Sequence, residues 1–386
     1  MKQVMVAFGT RPEAIKMAPV ISALLACEMK VQVVATAQHR DMLDQVLDLF
    51  GIEPDVDLNL MRANQALPDL FAGILTGMTE ILSARRPAML LVHGDTSTTM
   101  ATALAGFYAR VPVGHIEAGL RTGNMDSPWP EEMNRRLTAP LASLHFAPTY
   151  RARDNLLLER CAPESIDVTG NTVVDALQSI STRLDSDMAL ARRVTSSLPE
   201  MDSRKRLILV TGHRRENHGA GLERVCNALR TLTQRGDIQI IYAVHANPNV
   251  DRTVRKLLEG LPDVFLLPPL DYASFVFLLK KAYLVLTDSG GIQEEAPSFG
   301  KPVLVTRTTS ERPEAIEAGT AKLVGTDPEV IVREISGLLD DREAYAAMAF
   351  AHSPFGDGSA AMRIARAVRR FLQERSSELP TPGVQS

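Results

Sequence analysis

The feature that most constrains this chain is the repeated alternation of short apolar runs with longer stretches of helical periodicity. In the first half, the apolar runs have the length of strands that are buried on both faces, and they cover residues 4–8, 31–36, 89–93 and 111–116. Stretches with helical spacing, such as 14–25 and 98–108, lie between them. This order predicts a parallel sheet with helices on both of its faces.

The same alternation starts again in the second half of the chain. Further apolar runs cover residues 207–211, 238–244, 264–267, 284–287 and 302–305. Because 386 residues are too many for one ordinary hydrophobic core, we expect two α/β domains, the second beginning near residue 171. Ligands of such domains bind at the carboxyl ends of the strands, and the cleft between the domains is the expected site.

Composition narrows the class of protein further. The chain is 45% hydrophobic and 23% charged with a net charge of -4, which gives no basis for binding nucleic acid or a membrane surface. No apolar run approaches the roughly 18 residues of a membrane helix, and the amino-terminal run is too short for a signal peptide. Cys27, Cys161 and Cys226 are scattered, so we expect reduced core residues in a cytoplasmic protein; catalysis or metal binding is the alternative.

A helix is predicted at residues 361–373, where apolar side chains recur at helical spacing. Its opposite face carries four arginines, Arg363, Arg366, Arg369 and Arg370. We interpret it as a docking helix with a solvated basic face; nucleic-acid binding is the alternative, for which one basic helix face is a weak signal. The tail at 376–386 has a composition typical of disorder.

Acidic residues follow two of the predicted strands in the first half. Asp95 and Glu117 each come directly after an apolar run, and Glu131 and Glu132 follow Pro-Trp-Pro at a predicted helix start. Carboxylates gathered at one edge of a sheet, partly out of water, should repel one another and bind protons at unusual pH. The pattern therefore indicates acid/base chemistry.

The segment FGTRPEAIK at residues 8–16 follows the first strand and opens a helix. Thr10 is a candidate cap, and Pro12 fits the first helical turn. Arg11 and Lys16 would lie near the positive end of this helix, where an anion binds; a capped helix start with surface charges is the alternative. The segment is neither GxGxxG nor a Walker sequence, which argues against nicotinamide cofactors and ATP.

A second strand-to-helix segment, TDSGGIQEEAP, occupies residues 287–297. Ser289, Gly290 and Gly291 are predicted to start a helix whose backbone N–H groups can approach a diphosphate closely. Glu294 and Glu295 are predicted in its first turn, where one of them could accept hydrogen bonds from sugar hydroxyls. The alternative is a capped helix whose acids complement the helix dipole.

His213 lies in the segment TGHRREN, which follows the first strand of the second half. We expect it to face the carboxylates from the opposite side of the cleft, where it could protonate or stabilise a leaving diphosphate; a structural histidine is the alternative. The sequence has no metal-binding motif and no GxSxG elbow. We therefore expect neither a metal nor a cofactor.

Together these segments resemble the UDP-N-acetylglucosamine 2-epimerase family, in its bacterial non-hydrolysing branch. The matching strings are FGTRPEAIKMAP, TAQHRDMLDQVLDLF, LVHGDTSTT, HIEAGLRTG, SPWPEEMNRR, TGHRREN, VHANPNV, LTDSGGIQEEAPSFGKPVL and TSERPEAIEAGT. The resemblance implies two Rossmann-like domains in a GT-B-type architecture, with the active site in the interdomain cleft, and a homodimer. It implies a first domain at 1–170 that is completed by a helix at 361–375, and a second, UDP-binding domain at 171–360.

The resemblance also implies a reaction and a set of site residues. The family interconverts UDP-GlcNAc and UDP-ManNAc by eliminating UDP to form 2-acetamidoglucal and then re-adding it. Acid/base roles are implied for Asp95, Glu117 and Glu131, with His213 assisting the diphosphate. The implied UDP-sugar contacts are Arg11, Lys16, Phe275, Ser289, Gly290, Gly291, Glu295 and Arg312. The residues that match a site at which a second UDP-GlcNAc activates some members are Gln38, Arg214 and His245.

Three other functions compete with this interpretation. A hydrolysing epimerase would release ManNAc and UDP, but the Gln38-His39 segment favours the non-hydrolysing branch. A GT-B glycosyltransferase shares the fold and the nucleotide site, and it would need an acceptor. A non-catalytic sensor of UDP-sugars would not need Asp95.

Overall fold

The computed structural model describes residues 2–36, 40–60, 65–212, 214, 217 and 219–377, with their side chains except at 40–42 and 376–377. Contacts divide the chain into two compact units. Unit 1 comprises Met1–Ala176 and Phe355–Ser386, and unit 2 comprises Leu177–Pro354. The functional domains predicted with boundaries at 170 and 360 stay a prediction.

Strands and helices alternate through the described residues. The strands are β1 (Gln3–Phe8), β2 (Lys30–Ala35), β3 (Val56–Asp57), β4 (Met89–His93), β5 (Val113–Ile116), β6 (Leu144–Ala147), β7 (Ile166–Val168), β8 (Arg206–Gly212), β9 (Ile238–Val244), β10 (Val264–Leu267), β11 (Leu284–Thr287), β12 (Val303–Val305) and β13 (Ala321–Leu323). The helices are α1 (Arg11–Ala26), α2 (Arg40–Phe50), α3 (Leu67–Arg85), α4 (Ser97–Tyr108), α5 (Glu131–Thr138), α6 (Tyr150–Leu158), α7 (Thr172–Ser186), α8 (Met188–Ser196), α9 (Ala220–Leu232), α10 (Pro248–Leu258), α11 (Tyr272–Lys281), α12 (Gly290–Glu295), α13 (Pro313–Glu317), α14 (Pro328–Asp340), α15 (Arg342–Ala349) and α16 (Ala360–Ser377).

Each unit contains one sheet whose paired strands all run parallel. The strand order is β3-β2-β1-β4-β5-β6-β7 in unit 1 and β10-β9-β8-β11-β12-β13 in unit 2. Both are doubly wound orders, in which the direction of winding reverses between β1 and β4 or between β8 and β11. The predicted fold class, α/β with two parallel sheets of Rossmann type, is confirmed.

Burial on both faces of the sheets explains why the strand pattern was visible in the sequence. All five residues of β4 are buried, and Leu90 and Val92 pack with Ile74 and Met78 of α3. The runs predicted at 89–93, 238–244, 264–267 and 284–287 coincide with observed strands at both ends. The run predicted at 111–116 began too early: β5 starts at Val113, because Pro112 has no N–H to donate to the ladder.

Helix α16 is a docking helix, as predicted from its apolar stripe. It packs against α1, and Ile364, Val368 and Leu372 on its apolar face are buried. The four arginines of the opposite face are exposed. The helix ends at Ser377 rather than at residue 375, and residues 378–386 of the predicted tail lie outside the described residues.

The three cysteines differ in burial. Cys226 is buried, and burial raises the pKa of its thiol to about 12. Cys27 and Cys161 are only half-buried, so the prediction that all three are core residues was wrong for these two; all three are free thiols.

No helix in the described residues combines the length and hydropathy that a membrane crossing requires.

Candidate active site

Asp95 lies in the turn between β4 and α4, at the carboxyl end of a central strand. Arg135 of α5 donates to its Oδ2 from Nε at 2.9 Å and from an Nη at 2.7 Å. The amide of Asn134 donates to the Asp95 backbone oxygen at 2.8 Å. The side chain is 24% exposed. Asp95 is therefore a charge-compensated carboxylate that still reaches solvent.

Glu117 lies at the end of the adjacent strand, β5, and its backbone has a φ of +62°. A side chain in this left-handed region is uncommon and strained, and such residues are concentrated at functional sites. Oε2 forms an ion pair with Lys16 and accepts a hydrogen bond from Asn171 Nδ2 at 2.8 Å. A Cβ placed on Gly94 would lie 3.9 Å from Oε1, so Glu117 lies beside the turn that carries Asp95.

Helix α5 begins at Glu131, as predicted, and its two glutamates have different surroundings. Glu132 is fully buried and accepts hydrogen bonds from the backbone N–H groups of Thr122 and Gly123 and from Arg135. Burial alone would raise the pKa of Glu132, but these hydrogen bonds lower it below its ordinary value. Glu132 thus holds the loop before α5 in place.

Glu131 lies on the same helix, one turn before the residues that hold Asp95. Its Oε2 is buried and has no hydrogen-bond partner among the described residues. A buried polar atom without a partner is uncommon and calls for an explanation.

The expectation that the gathered carboxylates repel one another omitted the cations that accompany them. Asp95 has Arg135, Glu117 has Lys16, and Glu132 has Arg135 and Arg136. Ion pairs of this kind offset the repulsion among the carboxylates. The structure thus places Lys16, predicted as a nucleotide contact, beside Glu117.

Two buried histidines, His93 and His115, adjoin this group. His93 Nε2 lies 3.7 Å from Glu117 Oε2, beyond hydrogen-bond distance, and neither ring nitrogen has a hydrogen-bond partner in the described residues. Burial lowers the pKa of His93 to about 4, although the charge of Glu117 opposes the change. His115 Nε2 contacts the Gly94 oxygen at 2.7 Å, and burial lowers the pKa of His115 to about 3. Both rings are neutral at neutral pH.

A buried glutamate on α1 was missed in the sequence analysis. Thr10 caps α1 as predicted, with Pro12 in the first turn, and Glu13 completes a capping box. Glu13 is 3% exposed, and burial raises its pKa despite several hydrogen bonds. The Thr-x-x-Glu spacing was the signal that could have identified it.

In unit 2, Ser289, Gly290 and Gly291 form the start of α12, as predicted. Ser289 is the N-cap residue in an extended conformation. A Cβ on Gly290 would lie 3.8 Å from Glu311 Oε2 and 4.0 Å from an Nη of Arg214. The Arg214 guanidinium is 3.5 Å from the same Glu311 oxygen, and the Arg214 backbone N–H donates to Asp288 at 2.9 Å. The glycine turn is therefore bordered by an arginine.

The prediction that Glu294 and Glu295 lie in the first turn of this helix was wrong. The helix has six residues, and both glutamates lie at its carboxyl end, where they are buried. They cannot complement the positive end of the dipole there. Glu294 instead forms an ion pair with Arg312, which is also buried.

The remaining predicted positions lie in both units or fall outside the described residues. Phe275 lies on α11, half-buried, with its ring stacked on Tyr272 at a centroid distance of 6.5 Å. His245 follows β9, is exposed, and accepts a hydrogen bond from the Asn247 N–H at 3.2 Å. His213 and Gln38 lie outside the described residues. Arg11 is the first residue of α1 in unit 1.

No cluster of three or more potential metal ligands occurs among the described residues. The site groups that the structure does describe are carboxylates with basic partners in unit 1 and a glycine turn with an arginine in unit 2. Two doubly wound sheets with such residues at their strand ends define the class of Rossmann-type α/β proteins that act on small ligands.

Comparison with known proteins identifies the family within this class. The family model described as UDP-N-acetylglucosamine 2-epimerase matches residues 24–369. A Ralstonia solanacearum protein named as a probable UDP-N-acetylglucosamine 2-epimerase is 56% identical over 96% of this chain and 100% of its own length. The UDP-N-acetylglucosamine 2-epimerase of Escherichia coli K12 is 53% identical over 95% of this chain and 98% of its own.

A solved structure extends the similarity to three dimensions. The UDP-GlcNAc 2-epimerase from Neisseria meningitidis, crystallised with UDP-GlcNAc bound, is 46% identical and has a TM-score of 0.88, covering 95% of this chain and 100% of that one. The chain belongs to the UDP-N-acetylglucosamine 2-epimerase family.

Proposed function

We propose that this protein interconverts UDP-GlcNAc and UDP-ManNAc without net hydrolysis, by eliminating UDP and re-adding it. The observation that carries the proposal is the group of carboxylates in unit 1. Asp95 and Glu117 end adjacent strands, and α5 brings Glu131 to the same group through its contacts with Asp95. Such a group can remove a proton and return one, which is what inversion at a carbon requires.

The chemistry of the sugar dictates the order of events. The C2 hydrogen is not next to a carbonyl, so direct removal would be very slow. Departure of UDP with the C1–O electron pair creates positive charge at C1 and makes the C2 hydrogen acidic. A base then takes that proton and the C1–C2 double bond of 2-acetamidoglucal forms. Re-addition of UDP at C1, with a proton delivered to the other face of C2, gives the epimer.

The surroundings of the carboxylates support their proposed roles. Glu117 contacts Lys16 at the end of β5, where it is placed to exchange a proton, and Glu131 has a buried oxygen without a hydrogen-bond partner among the described residues. Asp95 forms an ion pair with Arg135 and remains partly exposed. We propose that these three serve as the acid and base residues, with His213 assisting the leaving diphosphate.

We propose that unit 2 binds the nucleotide. Backbone N–H groups at Ser289, Gly290 and Gly291 are suited to a diphosphate, and Arg214 borders that turn. Arg11 and Lys16 are further contacts that we propose for the UDP-sugar. Further contacts that we propose for the nucleotide are Phe275, Glu295 and Arg312. That the Neisseria relative was crystallised with UDP-GlcNAc supports the choice of ligand.

The deciding experiment is a proton NMR time course with UDP-GlcNAc in D2O. We expect an equilibrium mixture of two UDP-sugars with deuterium incorporated at C2. Accumulation of free ManNAc and UDP would instead identify a hydrolysing epimerase. Turnover that appears only after an acceptor sugar is added would identify a glycosyltransferase.

A matched pair of variants separates an enzyme from a sensor. We expect Asp95→Asn to abolish turnover while UDP binding, measured by calorimetry, persists. Asp126→Asn makes the same chemical change at an exposed loop position and should leave turnover at the wild-type rate. Full turnover in Asp95→Asn would refute the catalytic role.

We further propose that a second UDP-GlcNAc acts as an activator through Gln38, Arg214 and His245. The initial rate should then rise sigmoidally with UDP-GlcNAc concentration, and His245→Asn should reduce the sigmoidicity. A hyperbolic wild-type curve would argue against an activator site.

We also propose a homodimer. Helices α4 and α5 pack against each other and expose four large apolar side chains, Phe107, Tyr108, Met133 and Leu137. Light scattering coupled to size exclusion should give twice the chain mass of 42.2 kDa. Phe107→Glu should shift the protein toward a monomer if this face is the interface.

A further inference from the structure

Glu13 makes more contacts than its place in a capping box requires. In a capping box, the third residue of the helix returns one hydrogen bond to the backbone of the cap residue. Oε2 of Glu13 does this with the Thr10 N–H at 2.7 Å, and it also accepts the Gly9 N–H at 2.9 Å and the Thr10 hydroxyl at 2.9 Å. One carboxylate oxygen therefore fixes the whole turn between β1 and α1.

The other oxygen of Glu13 contacts a different loop. Oε1 accepts the hydroxyl of Thr96 at 2.6 Å, and the hydroxyl of Thr99 lies 3.2 Å away. Thr96 is the N-cap residue of α4 and comes directly after Asp95. This contact joins residues that are 83 positions apart and contributes nothing to the cap of α1.

The two loops joined in this way meet where the winding of the sheet reverses. Strands β1 and β4 are neighbours there, and their carboxyl ends lead into α1 and α4. Space is restricted, because a Cβ on Gly9 would overlap the hydroxyls of Thr36 and Thr98. A carboxyl group that accepts hydrogen bonds from several donors in such a confined place is held in one position.

We propose that Glu13 is a positioning residue for the reaction: by binding both loops it sets Asp95 relative to Arg11 and Lys16. This inference rests on the proposed function for its kinetic consequence. Arg11 and Lys16 lie on the first turns of α1, whose start Glu13 fixes, and Asp95 precedes the threonine that Glu13 binds. Glu13 itself would not contact substrate.

Glu13→Gln is the sharpest probe of this role. An amide has the size of the carboxylate but only one acceptor oxygen, so it can keep the Gly9 and Thr10 N–H groups but can reach Thr96 only through a reversed bond from its NH2 group to the hydroxyl oxygen. Weakening the contact between Glu13 and Thr96 should lower kcat about 10- to 100-fold, with a much smaller change in KM. Thr96→Val removes the hydroxyl that contacts Glu13, and Thr96→Ser keeps a hydroxyl at that position.

The test compares kcat of wild type, Glu13→Gln, Thr96→Val and Thr96→Ser with kcat of the double variant Glu13→Gln/Thr96→Val. We expect Thr96→Ser to keep kcat near wild type, Thr96→Val to lower it, and the double variant to be no slower than the slower single variant. If the two losses multiply in the double variant, or if Glu13→Gln keeps kcat within about twofold of wild type, Glu13 does not position Asp95.

A measurement without substrate keeps this test separate from the proposed function. Hydrogen–deuterium exchange of the segment 94–100 should be faster in Glu13→Gln than in wild type, while exchange in unit 2 stays the same. Unchanged exchange in that segment would overturn the inference even if the wild-type enzyme is active. An inactive wild type with faster exchange in the variant would overturn the proposed function and leave the positioning of the two loops supported.

Discussion

Because His93 is buried in its neutral form, we expect the protein to lose unfolding free energy as the pH falls. The pKa of His93 is lowered from 6.5 to about 4, so the folded protein binds a proton at this histidine only at a lower pH than the unfolded chain does. Stability from this group is complete above pH 6.5 and is lost progressively as the pH falls from 6.5 toward 4. Each pH unit in that window costs about 1.4 kcal/mol, so between pH 6.5 and about pH 5 the loss is about 2 kcal/mol.

His93→Phe is a suitable perturbation because neither ring nitrogen of His93 has a hydrogen-bond partner in the described residues. The larger ring changes packing at every pH, so the informative quantity is the change in unfolding free energy between pH 8 and about pH 5. We expect that change to be about 2 kcal/mol smaller in the variant than in wild type.

Urea unfolding followed by circular dichroism at both pH values measures the difference. His352→Asn, at an exposed position of unit 2, is the control and should reproduce the wild-type pH dependence. If His93→Phe loses as much stability on acidification as wild type does, burial of a neutral His93 is not a source of acid sensitivity, and the reasoning is refuted.

Three further predictions follow from contacts in unit 1. Arg135→Met leaves Asp95 without its cation and removes one of the two cations beside buried Glu132, so we expect unfolding to become easier by about 3–5 kcal/mol in urea titrations and turnover to be lost in the NMR assay. Asn171→Asp places a second carboxylate beside Glu117. Repulsion between the two should raise the pKa of Glu117 and shift the acid limb of the kcat/KM profile to higher pH. Gly9→Ala introduces a Cβ that overlaps two threonine hydroxyls, and thermal unfolding should show a loss of about 1–3 kcal/mol.

Most of the fold was predictable because its strands are buried on both faces. A run such as Met89–His93 is continuously apolar, so its limits are written in the local sequence. Among the strands that escaped prediction, β6 (Leu144–Ala147) is fully buried but has a histidine within its apolar run, and the others are short or half-buried. β3 has two residues, and β7 (Ile166–Val168) has a central aspartate and no fully buried residue. Their pairing depends on the neighbouring strand rather than on their own composition.

The candidate site was predictable only in part, because its carboxylates follow strands but their partners are remote in sequence. Arg135 is 40 residues from Asp95, Asn171 is 54 residues from Glu117, and Lys16 is 101 residues from Glu117. Such pairings are decided by the order of strands in the sheet. Glu13 is the exception, since its spacing from Thr10 is local and was visible.

The discontinuity of unit 1 has a consequence for how the protein is made. Unit 2 is one continuous segment inserted between two parts of unit 1, whereas α16 at the carboxyl end packs on α1 near the amino end. Buried Asp175 accepts the N–H of Ala361 at 2.8 Å and so fastens α16 where the chain returns. During translation, unit 2 can therefore finish folding while the ribosome still holds the chain. Unit 1 must wait, with the surface of α1 uncovered, until its last helix has been released.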